Sequence, residues 1–161
     1  MSANKSKIAA EIKQRKPFSS LEEEANIALM RTADVLASRA GALFKAHGIS
    51  PTQYNVLRIL RGAGADGHRC SEIGERMITR DPDITRLLDR MEKSGLIART
   101  RGEKDRRVVI TRITPKGLEL LRELDRPVIE FNKRALGHMG KRKLRSLLAL
   151  LSDARKTAGK N

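Results

Sequence analysis

At 161 residues with a formal net charge of +15, the chain reads as one domain, or one domain with appendages, large enough to bury its own core. Apolar residues make up 39% of it but aromatics only 2%, so that core must be Leu, Ile, Val, Ala and Met. The charge points to a polyanionic partner, nucleic acid ahead of an anionic membrane surface. The single Cys excludes an intrachain disulfide, and no segment reaches the ~18 apolar residues of a membrane span.

Residues 1–18 carry five basic residues and one acid, with no apolar stretch of the signal-peptide kind, and are expected to form a flexible tail. A cytoplasmic protein follows as the expectation. Ser20 with Glu23 has the spacing of a capping box, and Glu22 to Glu24 suit a positive helix end. Leu21, Ala25, Ala28, Leu36 and Leu43 then recur at helical spacing up to Gly48. Ser50-Pro51-Thr52-Gln53 restarts a helix at once, with Tyr54, Leu57 and Leu60 on its apolar face.

After a glycine-rich loop, a short helix is predicted from about Ser71 to Ile78 and a second from Pro82 to Ser94. Asp81 is read as the cap of the second and Gly95 as its left-handed stop. Ile84, Leu87, Leu88 and Met91 form its apolar stripe and leave Thr85, Arg86, Asp89 and Arg90 off it. Leu96 to Arg101 and Val108 to Ile113 read as the arms of a β-hairpin. Between the apolar runs lies RTRGEKDRR, seven charges in nine residues. Thr114-Pro115 opens a further helix, in which Pro127 predicts a kink or break. Gly137 and Gly140 break the chain before a leucine-rich last helix, and the tail beyond Ala158 looks loose.

Two helices joined by a short turn and followed by a hairpin with a basic tip are the parts of a winged helix-turn-helix. The second helix fits the major groove, and the hairpin reaches the backbone or the adjacent minor groove. Arg86 and Thr85, near the start of that helix, suit base or phosphate contacts, as Arg106 and Arg107 of the tip suit phosphates. Asp83 either stabilises the helix dipole or accepts from a cytosine amino group. Asp105 repels DNA, and is explained if it pins the Arg107 guanidinium in a bidentate bond.

The stretches SEIGERM, ITRLLDRMEKSGLIART and DRRVVITRITPKGLELL resemble the MarR (multiple antibiotic resistance regulator) family of bacterial transcription factors. The family's wing element Asp-x-Arg falls on Asp105 and Arg107, and its Thr-Pro-x-Gly helix start on Thr114 to Gly117. The resemblance implies a mainly α fold with a β-hairpin wing, and an obligate homodimer whose terminal helices interlock over two heads that read a palindromic operator. It divides the chain into a tail (1–18), an N-terminal dimerisation helix (19–48), the winged helix-turn-helix (50–114), C-terminal dimerisation helices (115–158) and a loose end (159–161). The expected DNA contacts become Arg80, Asp83, Thr85, Arg86 and Arg90 from the helix region, and Arg101, Lys104, Arg106 and Arg107 from the wing.

Members are mostly repressors released by small phenolic or lipophilic ligands. A candidate effector pocket surrounds Phe44, Tyr54, Leu57 and Leu60, which read equally well as core. The chain departs from the family at the start of the recognition helix, where it reads Thr79-Arg80-Asp81-Pro82-Asp83. Cys70 fits a small buried side chain better than a redox sensor, and His47, His68 and His138 lack metal-ligand spacing. No nucleophile–base pair, phosphate loop or dinucleotide fingerprint is present, so neither an enzyme nor a cofactor is expected. A sequence-tolerant architectural DNA protein is the alternative reading, favoured by the excess charge alone.

Overall fold

The computed structural model describes residues 6–79, 81–102 and 108–158, with residues 157 and 158 described by their backbone alone. The chain divides into two compact units, Met1–Ala42 and Leu43–Asn161.

In the first unit a short helix α1, Lys7–Glu11, lies within the stretch expected to be a loose tail; the Ser6 hydroxyl caps it, accepting from the Ala9 N–H at 3.2 Å. The long helix α2, Leu21–Lys45, begins as expected, with Ser20 Oγ accepting from the Glu23 N–H at 3.2 Å. The Glu23 carboxylate accepts from the N–H of Ser19 rather than of Ser20, at 2.6 Å, so the reciprocal half of the box is shifted by one residue.

The second unit holds the winged head. Helix α3, Pro51–Ala63, has the full capping box written in its sequence: Ser50 Oγ accepts from the Gln53 N–H at 3.1 Å and Gln53 Oε1 from the Ser50 N–H at 2.8 Å. Its buried face, Val56, Leu57 and Leu60, packs in one core with Ile73, Leu87, Leu88, Met91, Leu96, Ile97, Leu121 and Leu124. A two-residue strand β1, His68–Arg69, precedes α4, Cys70–Arg76, and the recognition helix α5, Ile84–Lys93, follows. Strands β2, Ile97–Arg101, and β3, Val109–Ile113, form the predicted hairpin with Arg99 opposite Thr111. β1 adds a third antiparallel strand that the sequence did not announce, giving the order β1-β3-β2.

Two expectations are corrected. Helix α5 starts at Ile84, not Pro82: Asp81 Oδ1 accepts from the Asp83 N–H at 2.9 Å and closes an Asx turn, which passes the cap to Asp83. Helix α6, Pro115–Leu136, continues through Pro127, so of the expected kink or break the break does not occur. A single missing ladder bond bends a helix without ending it when the preceding turns are held in place. Here Leu121 and Leu124 are buried before the proline, and the 3₁₀ turn Gly137–Met139 and α7, Gly140–Ala158, follow beyond it.

Gly117 sets how closely α6 approaches the hairpin base. A Cβ there would collide with the Leu96 carbonyl oxygen and stand 2.8 Å from Ile113 Cγ1 and 3.2 Å from Leu57 Cδ2. A backbone carbonyl cannot rotate away as a side chain can. Gly117→Ala is therefore expected to lower unfolding free energy by about 1–3 kcal/mol, as overpacking does. Urea titration of the two proteins checks this, and an unchanged midpoint would show that the helix shifts without cost.

Candidate nucleic-acid interface

Helix α5 is held at the surface by its own amphipathic pattern. Leu87, Leu88 and Met91 are buried, while Thr85, Arg86 and Arg90 on the other side are exposed. The turn that feeds it is anchored from below: buried Asn55 of α3 accepts, through Oδ1, the Ile78 N–H at 2.8 Å. A buried amide left without that partner would cost about 1–3 kcal/mol, so the bond fixes where the turn leaves α4.

Asp83 is occupied at both oxygens. Oδ1 accepts from the Arg86 N–H at 3.3 Å as the helix cap, and Oδ2 lies 3.4 Å from Arg86 Nε. Of its two sequence readings, the structure places it as a cap. Arg86 itself is 81% exposed and stands at the first turn, the end of a recognition helix nearest base edges.

The hairpin flanks this helix. Its arms continue past Arg101 to a Gly102 N–H donated to the Val108 carbonyl at 2.8 Å, and Arg101 is exposed on the same pleat face as Arg99. Arg80, Lys104, Asp105, Arg106 and Arg107 lie outside the described residues.

Two arginines that sequence reading missed brace the hairpin. On one side Arg112 donates from Nε to the Ala65 carbonyl and from Nη1 to Thr100 Oγ1, both at 2.7 Å. On the other, Arg99 Nη2 stands 2.6 Å from both Asp89 Oδ1 and Glu92 Oε2, with Nε 2.9 Å from the latter. The Arg99 guanidinium hydrogen bond holds the Glu92 carboxyl below the usual carboxylate range, against the opposing effect of burial and with further help from the Arg99 backbone N–H. The available signal was Asp89 and Glu92 three residues apart on the polar side of a helix, with an arginine in the next strand.

Of the four residues named for an effector pocket, Phe44, Leu57 and Leu60 are buried in the core and Tyr54 is half-buried, stacked on Phe44 with centroids 4.4 Å apart. A cavity of about 370 Å³ lies elsewhere in the head, lined by His47, Ile49, Ser94, Leu96, Lys116 and Glu119 among others. Cys70 is half-buried at the first turn of α4. There Glu72 already accepts the Arg69 N–H at 2.7 Å, and that backbone bond lowers its pKa. The helix end that would stabilise a thiolate is thus partly satisfied by a carboxylate. Among the described residues no helix is long and apolar enough to cross a membrane, and no three His, Cys, Asp or Glu gather as metal ligands.

An exposed recognition helix, an anchored turn before it and a braced antiparallel hairpin beside it define a winged helix-turn-helix protein. A sequence model of the MarR family matches residues 49–109. The chain is 39% identical to a MarR transcription factor from Planctomyces limnophilus, whose crystal structure it matches with a TM-score of 0.65 over 84% of this chain and 98% of that one. It is 26% identical to the transcriptional repressor CouR, solved on a 23-mer DNA duplex, with a TM-score of 0.75 over 89% of this chain and 100% of that one. Over 70 residues, 44% of either protein, it is 41% identical to the HTH-type transcriptional repressor MdtR of Bacillus subtilis. The chain spans about half the length of the first curated relatives it matches. It belongs to the MarR family.

Proposed function

We propose that the protein is a homodimeric, sequence-specific DNA-binding repressor that occupies a palindromic operator and performs no chemistry. The observation that carries this is the recognition helix itself, buried through Leu87, Leu88 and Met91 and presenting Thr85, Arg86 and Arg90 outward beside the hairpin. Arg86, with Thr85, is assigned to base edges, and Arg90 with Arg80 to the adjoining backbone. Arg101, Lys104, Arg106 and Arg107 are assigned to the backbone or minor groove beside it, with Asp105 orienting Arg107. CouR, a relative solved on duplex DNA, supports the partner. A small phenolic or lipophilic effector that releases the operator belongs to the same reading, as does action in the cytoplasm on the nucleoid.

The two arginine groups should fail differently. Arg86→Ala is expected to cost about 1–3 kcal/mol on the cognate site and to relax preference at one symmetric pair of positions. Arg107→Ala is expected to weaken good and bad sites nearly alike, because phosphate and minor-groove contacts carry little sequence information. Competition binding over single-base operator variants separates them. Wing variants that shift base preference, with Arg86→Ala changing affinity uniformly, would show the roles to be reversed.

The net charge of +15 also suits a sequence-tolerant architectural protein. Titration with operator and random duplexes distinguishes the two, since a repressor keeps a large specificity ratio as salt rises.

A further inference from the structure

Arg99 joins the two DNA-facing elements at a single point. Its guanidinium spans Asp89 and Glu92, one turn apart on α5, at 2.6 Å each. The other oxygen of Glu92 accepts the Arg99 backbone N–H at 3.1 Å. That N–H belongs to β2, at the edge of the sheet, so Glu92 grips the strand by main chain and side chain together. Two residues further along β2, on the same face, stands Arg101.

Bulk stability is a poor explanation for this cluster. The Arg99 side chain is 25% exposed and the two carboxylates 43% and 37%, and ion pairs this wet contribute little. Moreover, two carboxylates on a helix that approaches phosphates oppose binding. The buried stripe of α5 fixes its depth in the head but leaves rotation about its own axis less constrained. A bifurcated guanidinium on its flank removes that freedom, and does so from the strand that carries the wing.

We infer that Arg99 is a positioning residue: by clamping Asp89 and Glu92 it fixes the angle between recognition helix and wing, and thereby the protein's discrimination among base sequences. The inference rests on the DNA-reading function proposed above. Base-edge hydrogen bonds tolerate misplacement of only about 0.5 Å, whereas phosphate contacts through long side chains adapt. Loss of the clamp should therefore degrade specificity more than general affinity.

The test separates geometry from charge. Arg99→Met alone exposes two carboxylates to DNA and weakens every complex, so the decisive variant is Asp89→Asn/Glu92→Gln/Arg99→Met, which removes the cluster's charges together. A duplex selected by the wild-type protein from a random-sequence pool serves as operator, and a scrambled duplex of equal length as reference. The triple variant is expected to bind the scrambled duplex at least as tightly as wild type, with its salt slope kept, while its operator-to-scrambled ratio falls tenfold or more. A ratio within twofold of wild type overturns the inference and reduces the clamp to charge neutralisation. Arg99→Lys, which keeps the charge but loses the fork, should show the same fall, and full retention of the ratio by this variant also overturns it. Should the triple variant unfold, Glu92→Gln, read in the same assay, should lower the ratio by a smaller factor with an unchanged salt slope, and no change overturns the inference. A wild-type protein that selects no sequence from the pool removes the DNA-reading function itself, and the clamp's role with it.

Discussion

Raising the salt from 50 to 200 mM is expected to weaken operator binding by about 10³ to 10⁵, the range for six to ten phosphate contacts. A homodimer carries twice +15, or +30. The proposed function assigns each head up to six such residues, Arg90 and Arg101 from the described surface with Arg80, Lys104, Arg106 and Arg107, so the twelve of two heads are enough to supply that range. Every neutralised phosphate releases condensed counterions, which makes log K linear in log salt with a slope near −0.9 per contact. Arg107→Ala should flatten that slope by roughly two, one contact for each head. Fluorescence anisotropy at five or six salt concentrations gives the slope directly. A nearly flat line would mean that the excess charge faces something other than a duplex.

The second large effect is expected from ending the chain after Gly140. Among its described side chains helix α7 has none buried: Leu144, Leu147 and Leu151 are only partly covered, and Leu148 and Leu150 are 67% and 65% exposed. An amphipathic helix with its leucines uncovered lacks the surface that would make it stable, and the proposed homodimer would supply one. The truncated protein should sediment as a monomer and bind a full palindrome 10² to 10⁴ times more weakly, the factor that linking two half-site modules provides. Its head should still fold, since the core around Leu57, Met91 and Leu121 lies outside the deleted segment. A monomeric truncation that binds the palindrome at full strength would disprove the dimer reading.

Features settled by neighbours in sequence were legible, and those settled across the fold were not. Ser50-Pro51-Thr52-Gln53 caps α3 as written, because every atom of the box lies within four residues. The hairpin arms were read to within a residue, since β-branched runs and a polar tip are local signals. The start of α5 was misread because Asp81-Pro82 and Asp83 both satisfy local capping rules, and the Asx turn decides between them. Strand β1 is two residues whose only reason to be extended is their pairing with Thr111 and Ile110. The helix continues through Pro127 with its buried residues, Leu121 and Leu124, upstream of the proline, which local propensity does not show. Of the site, Thr85, Arg86 and Arg90 follow from helical periodicity alone. Arg99 and Arg112 required knowing which strand lies against which helix and loop.

The bond from Asn55 to the Ile78 N–H has a meaning for redesign. It grips main chain, so every residue type except proline at position 78 preserves it, and it originates in α3, outside the reading surface. The support of the recognition helix is thus separate from its vocabulary. If Thr85, Arg86 and Arg90 read bases as proposed, they can be exchanged for the contact residues of another reader while the chassis that presents them stays the same, which makes this head a natural starting scaffold for transplanting new operator preferences.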